Sequence, residues 1–339
     1  MALAELRART ALRRAGLDPS VELERASSVT NEVWMSPTHV VRVNRSRDNR
    51  LAREAALAPA LPAAVGYPRI VAYGGRQGED WLVAERVPGV PLAHRWPDLT
   101  SDQRRAAVAQ IAARLRALHA TQAPPGLPEI TDAPQLLDPA AAAPVEPLVG
   151  ALVSAARLPH VDPLIIQACV ELVEQTAPTL TLSTTTLVHG DLTFENVLWA
   201  DGVITAVLDV EWARPGPPDL DLDIILRCCA YPQLHVAPAV EARTHADDYR
   251  EVPGWLAEDY PELFGAPDQL LRMRVYSLAY DAKELLAYPP TSATEDLSPL
   301  HPYHRLVRVV QRRSYLDELT WPGTADVRTS RRRDPGWSP

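Results

Sequence analysis

The sequence predicts an α+β protein with two lobes, in which a mainly antiparallel β-sheet lobe precedes a mostly helical lobe. Short β-type stretches separated by turn residues dominate residues 20–87. Apolar residues then recur at helical spacing over much of the chain after residue 100. With 339 residues, the chain is long enough for two domains. We therefore predict a first lobe, a linker, a second lobe and a flexible tail, at residues 1–87, 88–99, 100–320 and 321–339.

The composition excludes several classes of protein. Apolar residues make up 46% and charged residues 23% of the chain, which is a globular balance. We find no apolar stretch long enough for a membrane span, and the amphipathic first 15 residues do not resemble a secretion signal. The net charge of −9 disfavours nucleic-acid binding. Because the three cysteines form no disulfide framework, we expect a cytoplasmic protein. From the charge and the missing apolar span, we expect neither nucleic-acid nor membrane partners.

The first lobe is predicted element by element from turn residues and apolar patterns. The predicted order is helix, three strands, helix and two strands, at 1–15, Val21–Ala26, Glu32–Ser36, His39–Val43, Leu51–Leu61, Ile70–Tyr73 and Trp81–Val87. The last two strands flank the turn-rich segment GGRQGED, which is typical of a hairpin. The Pro- and Gly-containing segment Val87–Leu92 indicates a linker.

The second lobe is predicted mainly from helical periodicity. Thr100 and Gln103 form a capping box before a helix at Arg104–His119. The Pro- and Ala-rich segment 123–160 is left unassigned. A β region at Leu187–Asp209 interrupts the remaining helices, which are expected at Val161–Ala177, Leu220–Ala230, Val240–Tyr249, Asp268–Tyr288 and Tyr303–Leu319.

The candidate catalytic segment surrounds the dipeptide Asp201-Gly202, a strong two-residue hairpin turn between apolar strands. Folding the chain about this turn pairs Ala200 with Val203 and Asn196 with Val207. The residues that precede the first strand and follow the second therefore meet at one mouth of the hairpin.

Three polar residues are predicted to converge at that mouth: Asp191, Asn196 and Asp209. The amide of Asn196 and the carboxylate of Asp209 provide the oxygen ligands that Mg²⁺ prefers. Asp191 stays free to accept a proton from an attacking hydroxyl. The spacing H-x-D-x-x-x-x-N, followed by a metal-binding Asp, is that of protein-kinase catalytic loops. The alternative, that all three are only turn formers, does not explain this joint spacing.

The motif His189-Gly-Asp191-Leu-Thr-Phe-Glu-Asn196, followed by Leu208-Asp209, resembles the hallmark of the aminoglycoside phosphotransferase and choline kinase-like family. The resemblance covers roughly residues 20–230. It implies a bilobal, protein-kinase-like fold and transfer of the γ-phosphoryl group of ATP or GTP to a small-molecule hydroxyl, with Mg²⁺ as cofactor. Asp191 is the implied catalytic residue. His189 either acts in catalysis or, as we favour, orients the loop.

The resemblance also assigns a nucleotide site in the first lobe. The implied nucleotide-binding residues are Ser27, Ser28, Thr30 and Asn31 in the phosphate-clamping turn, Arg42 and Glu54 as an ion pair, and the backbone near Ala84 and Arg86. Two features depart from the family pattern. The clamping turn contains no glycine, and Arg42 stands where the family commonly has lysine. Arg42 and Glu54 could instead form an ordinary surface ion pair.

Acidic residues are frequent in the segments expected to wall the acceptor site. The candidate substrate residues, besides Asp191, are Glu211, Trp212, Asp223, Asp281 and Glu284. Charges of one sign in a cleft would concentrate a cationic acceptor, although a neutral acceptor stays open. Of two nearby acids, Asp219 is better explained as a helix N-cap and Asp221 as a tie to the catalytic loop.

We expect the acceptor to be an aminoglycoside, nucleoside or other sugar-bearing antibiotic, inactivated by phosphorylation as resistance or self-resistance. A metabolic kinase acting on an amino alcohol, amino acid or sugar is the alternative. A non-catalytic nucleotide-binding regulator and a Mg²⁺-dependent phosphohydrolase also stay open. A protein kinase is disfavoured because no activation segment of the usual type follows Asp209. The chain is expected to act as a monomer or homodimer.

Overall fold

The computed structural model describes residues 3–26, 28, 31–130, 132–138, 141, 143–180, 186–293, 296–319 and 321. The predicted flexible tail therefore lies, except for Trp321, outside the described residues. Within them, an antiparallel sheet with helices precedes a mostly helical part. The predicted α+β, two-lobed fold is confirmed.

The first lobe is a five-stranded antiparallel sheet with a helix on each face. Its elements are α1 (Leu3–Arg14), β1 (Glu24–Ala26), β2 (Asn31–Met35), β3 (His39–Asn44), α2 (Arg50–Leu57), β4 (Ile70–Gly74) and β5 (Trp81–Glu85). The strand order is β1-β2-β3-β5-β4, which places β3 at the centre.

The alternation of side chains along β3 sends Arg42 towards α2. Val41 and Val43 pack with α1 on one face of the sheet. Arg42 lies opposite Leu82 of β5, and Leu82 packs against Leu51 of α2 on the other face. The pleat of the central strand thus points a charged side chain at the helix that carries its predicted partner.

The second part of the chain packs helices around two small sheets. Its elements are β6 (Val90–Pro91), α3 (Leu92–Arg95), α4 (Ser101–His119), α5 (Glu146–Ala155), α6 (Pro163–Leu180), β7 (Leu187–Val188), β8 (Val197–Ala200), β9 (Val203–Val207), β10 (Arg214–Pro215), α7 (Asp219–Ala230), α8 (Pro238–Glu241), α9 (Val252–Asp259), α10 (Gln269–Ala287), α11 (Pro302–Val310) and α12 (Tyr315–Glu318). Strands β6, β8 and β9 form one sheet, and β7 pairs with β10. Helix α10 packs against α5, α6, α7 and α11. No described helix combines the length and apolarity that a membrane crossing requires.

Several helix boundaries differ from the prediction. The helix expected at Val240–Tyr249 is wrong: the structure has the short α8 and a 3₁₀ turn at Ala246–Tyr249, because little of this polar segment is buried. The helix expected at Tyr303–Leu319 divides where Arg312 adopts φ 56°, and Ser314 caps α12. Helix α5 lies in the segment left unassigned, and α9 was not predicted. The capping box at Thr100 and Gln103 is confirmed.

The catalytic hairpin has the predicted turn and a different register at its mouth. Ala200 pairs with Val203 as expected. A bulge between Leu198 and Trp199 then shifts the register, so that Val207 pairs with Val197 instead of Asn196. The shift moves the chain that follows β9 one residue relative to the predicted alignment.

Candidate active site

The loop between β7 and β8 that carries Asp191 is tied to the first turn of α7. The Asp221 carboxylate accepts hydrogen bonds from the backbone N–H groups of His189 and Gly190, each at 2.8 Å. Gly190 has φ +84°, and a Cβ there would lie 2.6 Å from the Trp212 carbonyl oxygen, so a side chain does not fit. Asp221 therefore ties α7 to the catalytic loop, as expected from the sequence.

His189 is buried and holds the loop through both ring nitrogens. Its Nε2 donates to the Leu208 carbonyl oxygen at 2.8 Å, and its Nδ1 accepts from the Asp191 backbone N–H at 3.3 Å. Burial lowers the pKa of His189, which favours the neutral ring that this bonding requires. His189 is placed as a positioning residue that links the catalytic loop to β9, the role favoured from the sequence over direct catalysis.

Asp191 lies half-buried in this loop with an unusually high proton affinity. Burial, followed by the charges of Asp209 and Asp221, raises its pKa to about 8. Lys283 and Arg214 act in the opposite direction. A carboxylate whose pKa lies close to neutral pH is a stronger base than an ordinary aspartate, which suits a general base.

Asn196 ends a 3₁₀ turn immediately before β8 and braces the same loop. Its side-chain N–H donates to the Asp191 backbone carbonyl oxygen at 2.9 Å. Its own backbone carbonyl oxygen accepts from the Leu208 N–H at 2.8 Å, next to Asp209. The amide contact commits the side-chain nitrogen of Asn196 to the loop and leaves the amide oxygen as a candidate ligand for a cation.

Asp209 follows β9 in a left-handed conformation, with φ 61° and ψ 50°. Its Oδ1 accepts from Nη2 of Arg42 at 2.7 Å, which joins the two lobes. The Arg42 Nη1 donates to both carboxylate oxygens of Glu54, at 2.7 and 2.5 Å. Although burial opposes the charge, Glu54, Asp209 and Glu211 together raise the pKa of Arg42 well above its usual value. The expected Arg42–Glu54 contact is present, and it extends to Asp209.

Glu211 belongs to this inter-lobe group and not to an acceptor wall. Its Oε2 lies 3.3 Å from Arg42 Nη2, and its Oε1 lies 3.5 Å from Arg50 Nη1. Burial and the charge of Asp209 raise the pKa of Glu211 to about 8, against the opposing effect of Arg42. Its carboxylate is committed to these two arginines, and its substrate role stays a prediction. Trp212 lies beside it, with the Arg50 guanidinium 4.8 Å from its ring centroid.

Only some of the predicted nucleotide-binding residues lie within the described part of the chain. Ser27 and Thr30 lie outside the described residues, whereas Ser28 is half-buried and Asn31 is buried at the start of β2. Ala84 lies within the sheet, between β3 and β4. The Arg86 N–H donates to the Thr38 carbonyl oxygen at 2.8 Å. This N–H is thus engaged with Thr38, and the pairing of a purine with backbone groups near Ala84 and Arg86 stays a prediction.

Of the three acids predicted on the helical acceptor wall, Asp223 and Asp281 are fully buried, whereas the side chain of Glu284 is 32% exposed. The Asp281 Oδ1 accepts from Arg227 Nη1 and Arg305 Nε, both at 2.8 Å, and Arg305 also pairs with Glu284. Asp223 is fully buried, and burial raises its pKa to about 7. The expectation that these acids face a cationic acceptor is wrong for Asp223 and Asp281, because both are sealed from solvent.

Asp219 is also placed differently from the prediction. It is the first residue of α7 and makes no side-chain cap. Instead its carboxylate accepts from Arg272 Nε at 2.6 Å and from Arg272 Nη2 at 2.9 Å. An ion pair with α10 therefore replaces the expected N-cap.

Two residues that support the site were missed from the sequence. The Tyr67 hydroxyl donates at 2.6 Å to Glu54 Oε1, an oxygen that also accepts from Arg42. Arg53 donates to the carbonyl oxygens of Glu211 and Ala213, at 2.9 and 2.6 Å, which fastens α2 to the segment after Asp209. In the sequence, only the position of Arg53 beside Glu54 could have indicated its supporting role. The sequence around Tyr67 gives no such signal.

Comparisons with known proteins agree with this fold. The phosphotransferase enzyme family matches residues 23–255, which is more than half of the chain. No curated protein sequence gives a significant match.

Solved structures of aminoglycoside phosphotransferases have the same fold. ADP-bound APH(2'')-Ib has a TM-score of 0.60 and 16% sequence identity, covering 91% of this chain and 99% of its own. APH(4)-Ia has a TM-score of 0.61 and 17% identity, with coverage of 91% and 99%. The gentamicin complex of APH(2'')-IIa has a TM-score of 0.57 and 16% identity, with coverage of 92% and 97%.

Proposed function

The chain belongs to the phosphotransferase enzyme family, and from this premise we propose that it transfers the γ-phosphoryl group of ATP or GTP to a hydroxyl group of a small molecule. The observation that carries the proposal is the position of Asp191. Its carboxyl group titrates near neutral pH, in a loop that His189, Asn196 and Asp221 hold by hydrogen bonds. In this proposal the first lobe holds the nucleotide and the second lobe holds the acceptor.

Asp191 accepts or orients the proton of the attacking hydroxyl. The transition state of phosphoryl transfer is loose, so positioning and charge stabilisation matter more than a strong base. A carboxylate with a pKa of about 8 is a stronger base than an ordinary aspartate, so it can hold the proton that the hydroxyl loses late in the reaction. The hydrogen bonds from His189 and Gly190 to Asp221 hold the loop that carries Asp191.

Arg42 binds the nucleotide phosphates. Its guanidinium reaches Glu54 and Asp209 at once, so it spans the cleft between the lobes. Arg is suited to bidentate contact with phosphate, which explains how it can replace the family's usual lysine. Glu54, held by Tyr67, keeps the guanidinium aimed into the cleft when the contact with Asp209 is exchanged for phosphate.

The residues present fit a magnesium ion. Asp209 offers a carboxylate that is 36% exposed, and Asn196, whose side-chain N–H is bonded to the loop, offers its amide oxygen; Mg²⁺ prefers such oxygen donors. We assign Asp209 and the amide oxygen of Asn196 as its protein ligands. A bound Mg²⁺ neutralises phosphate charge in such enzymes.

The acceptor we propose is an antibiotic or a related sugar-bearing hydroxyl compound. Similar structures include complexes with hygromycin B and with gentamicin. Phosphorylation of the acceptor would inactivate it, which gives the protein a role in resistance or self-resistance.

Mass spectrometry of reaction mixtures tests the proposal. Protein, Mg²⁺ and ATP or GTP are incubated with aminoglycosides, nucleosides, other sugar-bearing antibiotics and amino alcohols. We expect one acceptor class to gain a phosphoryl group, about 80 Da. Asp191→Asn should lower the rate by about 10²–10⁴-fold because the proton acceptor is lost.

Asp201→Asn is the matched control for that variant. It makes the same chemical change at the hairpin turn, where φ is 48°, a conformation that Asn tolerates. Its rate should stay close to that of the unmodified protein. Equal turnover by Asp191→Asn would contradict the base assignment, and nucleotide binding without any phosphorylated product would favour a non-catalytic regulator.

A further inference from the structure

We propose that Arg53 is a positioning residue that holds the backbone of Asp209 in its left-handed conformation, so that the Asp209 carboxylate stays in place as a metal ligand when nucleotide binds. The inference rests on the proposed function, in which Asp209 is a ligand of Mg²⁺. It deepens that function because it assigns a task at the same site to a buried arginine of α2.

Asp209 adopts a backbone conformation that an aspartate rarely takes. Its φ of 61° and ψ of 50° lie in the left-handed region, which costs free energy for a residue that has a Cβ atom. Such a conformation persists only where the surrounding structure holds the chain. The chain must therefore be fixed both before and after Asp209.

The chain before Asp209 is held by the catalytic loop. The Leu208 N–H donates to the Asn196 carbonyl oxygen at 2.8 Å. The Leu208 carbonyl oxygen accepts from His189 Nε2, also at 2.8 Å. Both contacts lie within the second lobe and fix the entry into Asp209, but they do not constrain the residues that follow it.

The chain after Asp209 is held by Arg53. Residues Val210–Trp212 form a 3₁₀ turn. Arg53 donates from Nε to the Glu211 carbonyl oxygen at 2.9 Å and from Nη2 to the Ala213 carbonyl oxygen at 2.6 Å. Carbonyl groups at the end of a helical turn lack partners within it, and the planar guanidinium supplies two donors in a fixed geometry. Arg53 is only 4% exposed, so water does not compete freely for these contacts.

The opposite side of this 3₁₀ turn lies against the catalytic loop. A Cβ at Gly190 would lie 2.6 Å from the Trp212 carbonyl oxygen, so the turn and the loop are in direct contact. The turn is thus placed between Arg53 of the first lobe and Gly190 of the second. Loss of the Arg53 donors would leave it held on one side only.

Helix α2 therefore holds Asp209 in two separate ways. Glu54 and Arg42 hold the carboxylate, because Arg42 Nη2 lies 2.7 Å from Asp209 Oδ1 while its Nη1 contacts Glu54. Arg53 holds the backbone. In the proposed function Arg42 exchanges Asp209 for the nucleotide phosphates. The backbone contacts of Arg53 are then what keeps α2 joined to the segment that carries the metal ligand.

Hydrogen exchange of the full chain, measured by mass spectrometry of peptides, tests this hold without any turnover. Arg53→Met keeps a long side chain and removes the donors. We expect peptides that cover residues 208–213 to exchange about tenfold faster in this variant. Peptides that cover the hairpin turn at Asp201-Gly202 should not change.

The Mg²⁺ requirement of ATP binding is the second measurement, made by calorimetry at increasing Mg²⁺ concentration. Arg53→Met should need about tenfold more Mg²⁺ for half-maximal ATP binding, because Asp209 is no longer held in place. Arg53→Lys keeps the charge and can reach one carbonyl group. It should give an intermediate change, and it replaces Arg53→Met if that variant does not fold.

Arg114→Met is the matched control. Arg114 of α4 also bonds main-chain carbonyl oxygens of both lobes, those of Val65 and Ile204, and it makes no contact with the turn after Asp209. This variant removes an arginine link of the same kind. It should leave the exchange of residues 208–213 and the Mg²⁺ requirement unchanged.

The outcomes separate this inference from the proposed function. Unchanged exchange at residues 208–213 in Arg53→Met would overturn the inference, as would an equal increase in Arg114→Met. An unchanged Mg²⁺ requirement would also overturn it, provided that ATP binding by the unmodified protein depends on Mg²⁺. If that binding does not respond to Mg²⁺, the metal assignment of the proposed function fails. The exchange result alone then decides whether Arg53 holds the Asp209 backbone.

Discussion

Two groups of arginines and carboxylates in this protein differ mainly in burial. Around Arg42, carboxylates from both lobes meet at the cleft, and the side chain of Asp209 is 36% exposed. Around Asp281, the side chains of Arg227 and Arg305 are only 1% and 3% exposed, and the whole group lies among α7, α10 and α11. The first group can exchange a partner for a ligand, whereas the second can only hold the helices together. Arginine–carboxylate groups are thus partly exposed between the lobes and sealed within the second lobe.

Asp281→Asn should have the largest effect on stability. It leaves Arg227 and Arg305 buried with half their compensating charge gone, and breaking a buried pair costs about 3–5 kcal/mol. Urea denaturation measures the loss in the free energy of unfolding. Asp247→Asn, in an exposed pair with Arg250, is the control and should change little. Equal stability of the two variants would show that the buried group does not hold the fold.

The pH dependence of the reaction tests whether Asp191, at the site, is the group whose titration controls the rate. Because the pKa of Asp191 is about 8, its carboxylate form increases as the pH rises, and kcat/KM should increase about tenfold per pH unit below that pKa. Steady-state rates between pH 6 and 9 measure this. A rate that is flat over the range would contradict the assignment of Asp191 as the base.

The same raised pKa makes stability depend on pH. The folded protein keeps the Asp191 proton up to about pH 8, whereas the unfolded chain loses it near the ordinary value of 3.8. This contribution to stability is therefore full below the unfolded pKa and is lost as the pH rises through about 8. Thermal unfolding of Asp191→Asn should show a weaker decline between pH 5 and 8 than the unmodified protein.

Tyr67→Phe should have the smallest effect and the most specific one. It removes the hydroxyl that donates to Glu54 at 2.6 Å and leaves the ring in place. A hydrogen bond to a charged group contributes about 1.5–3 kcal/mol. We expect part of this to appear as a several-fold increase in the KM for nucleotide, with kcat for the acceptor little changed. A fall in kcat alone would contradict a positioning role through Arg42.

The sequence predicts contacts between residues that are close in the chain better than contacts between distant segments. The catalytic loop and hairpin were predicted because His189, Asp191, Asn196 and Asp209 lie within one short segment with strong turn residues. The register at Asn196 was wrong because a bulge leaves no mark in the apolar pattern. The contact between Arg42 and Glu54 was implied by the family resemblance, together with the order of elements.

Contacts between distant segments were beyond sequence reasoning. Arg53 binds main-chain carbonyl groups more than 150 positions away, and any residue can offer such a carbonyl group. The acids of α7 and α10 were expected to face an acceptor because their charge is visible in the sequence. Their arginine partners, Arg227 and Arg305, become evident only when the helices are packed together.

Nucleotide titration of the Arg42→Met variant tests most directly whether the Arg42 group exchanges a carboxylate for phosphate. Isothermal titration compares ATP–Mg²⁺ with adenosine, which has no phosphate, on the unmodified protein and the variant. The account predicts that ATP affinity falls about 10–100-fold while adenosine binding is unchanged. ATP affinity that does not change would contradict it and would leave Arg42 as a structural link between the lobes.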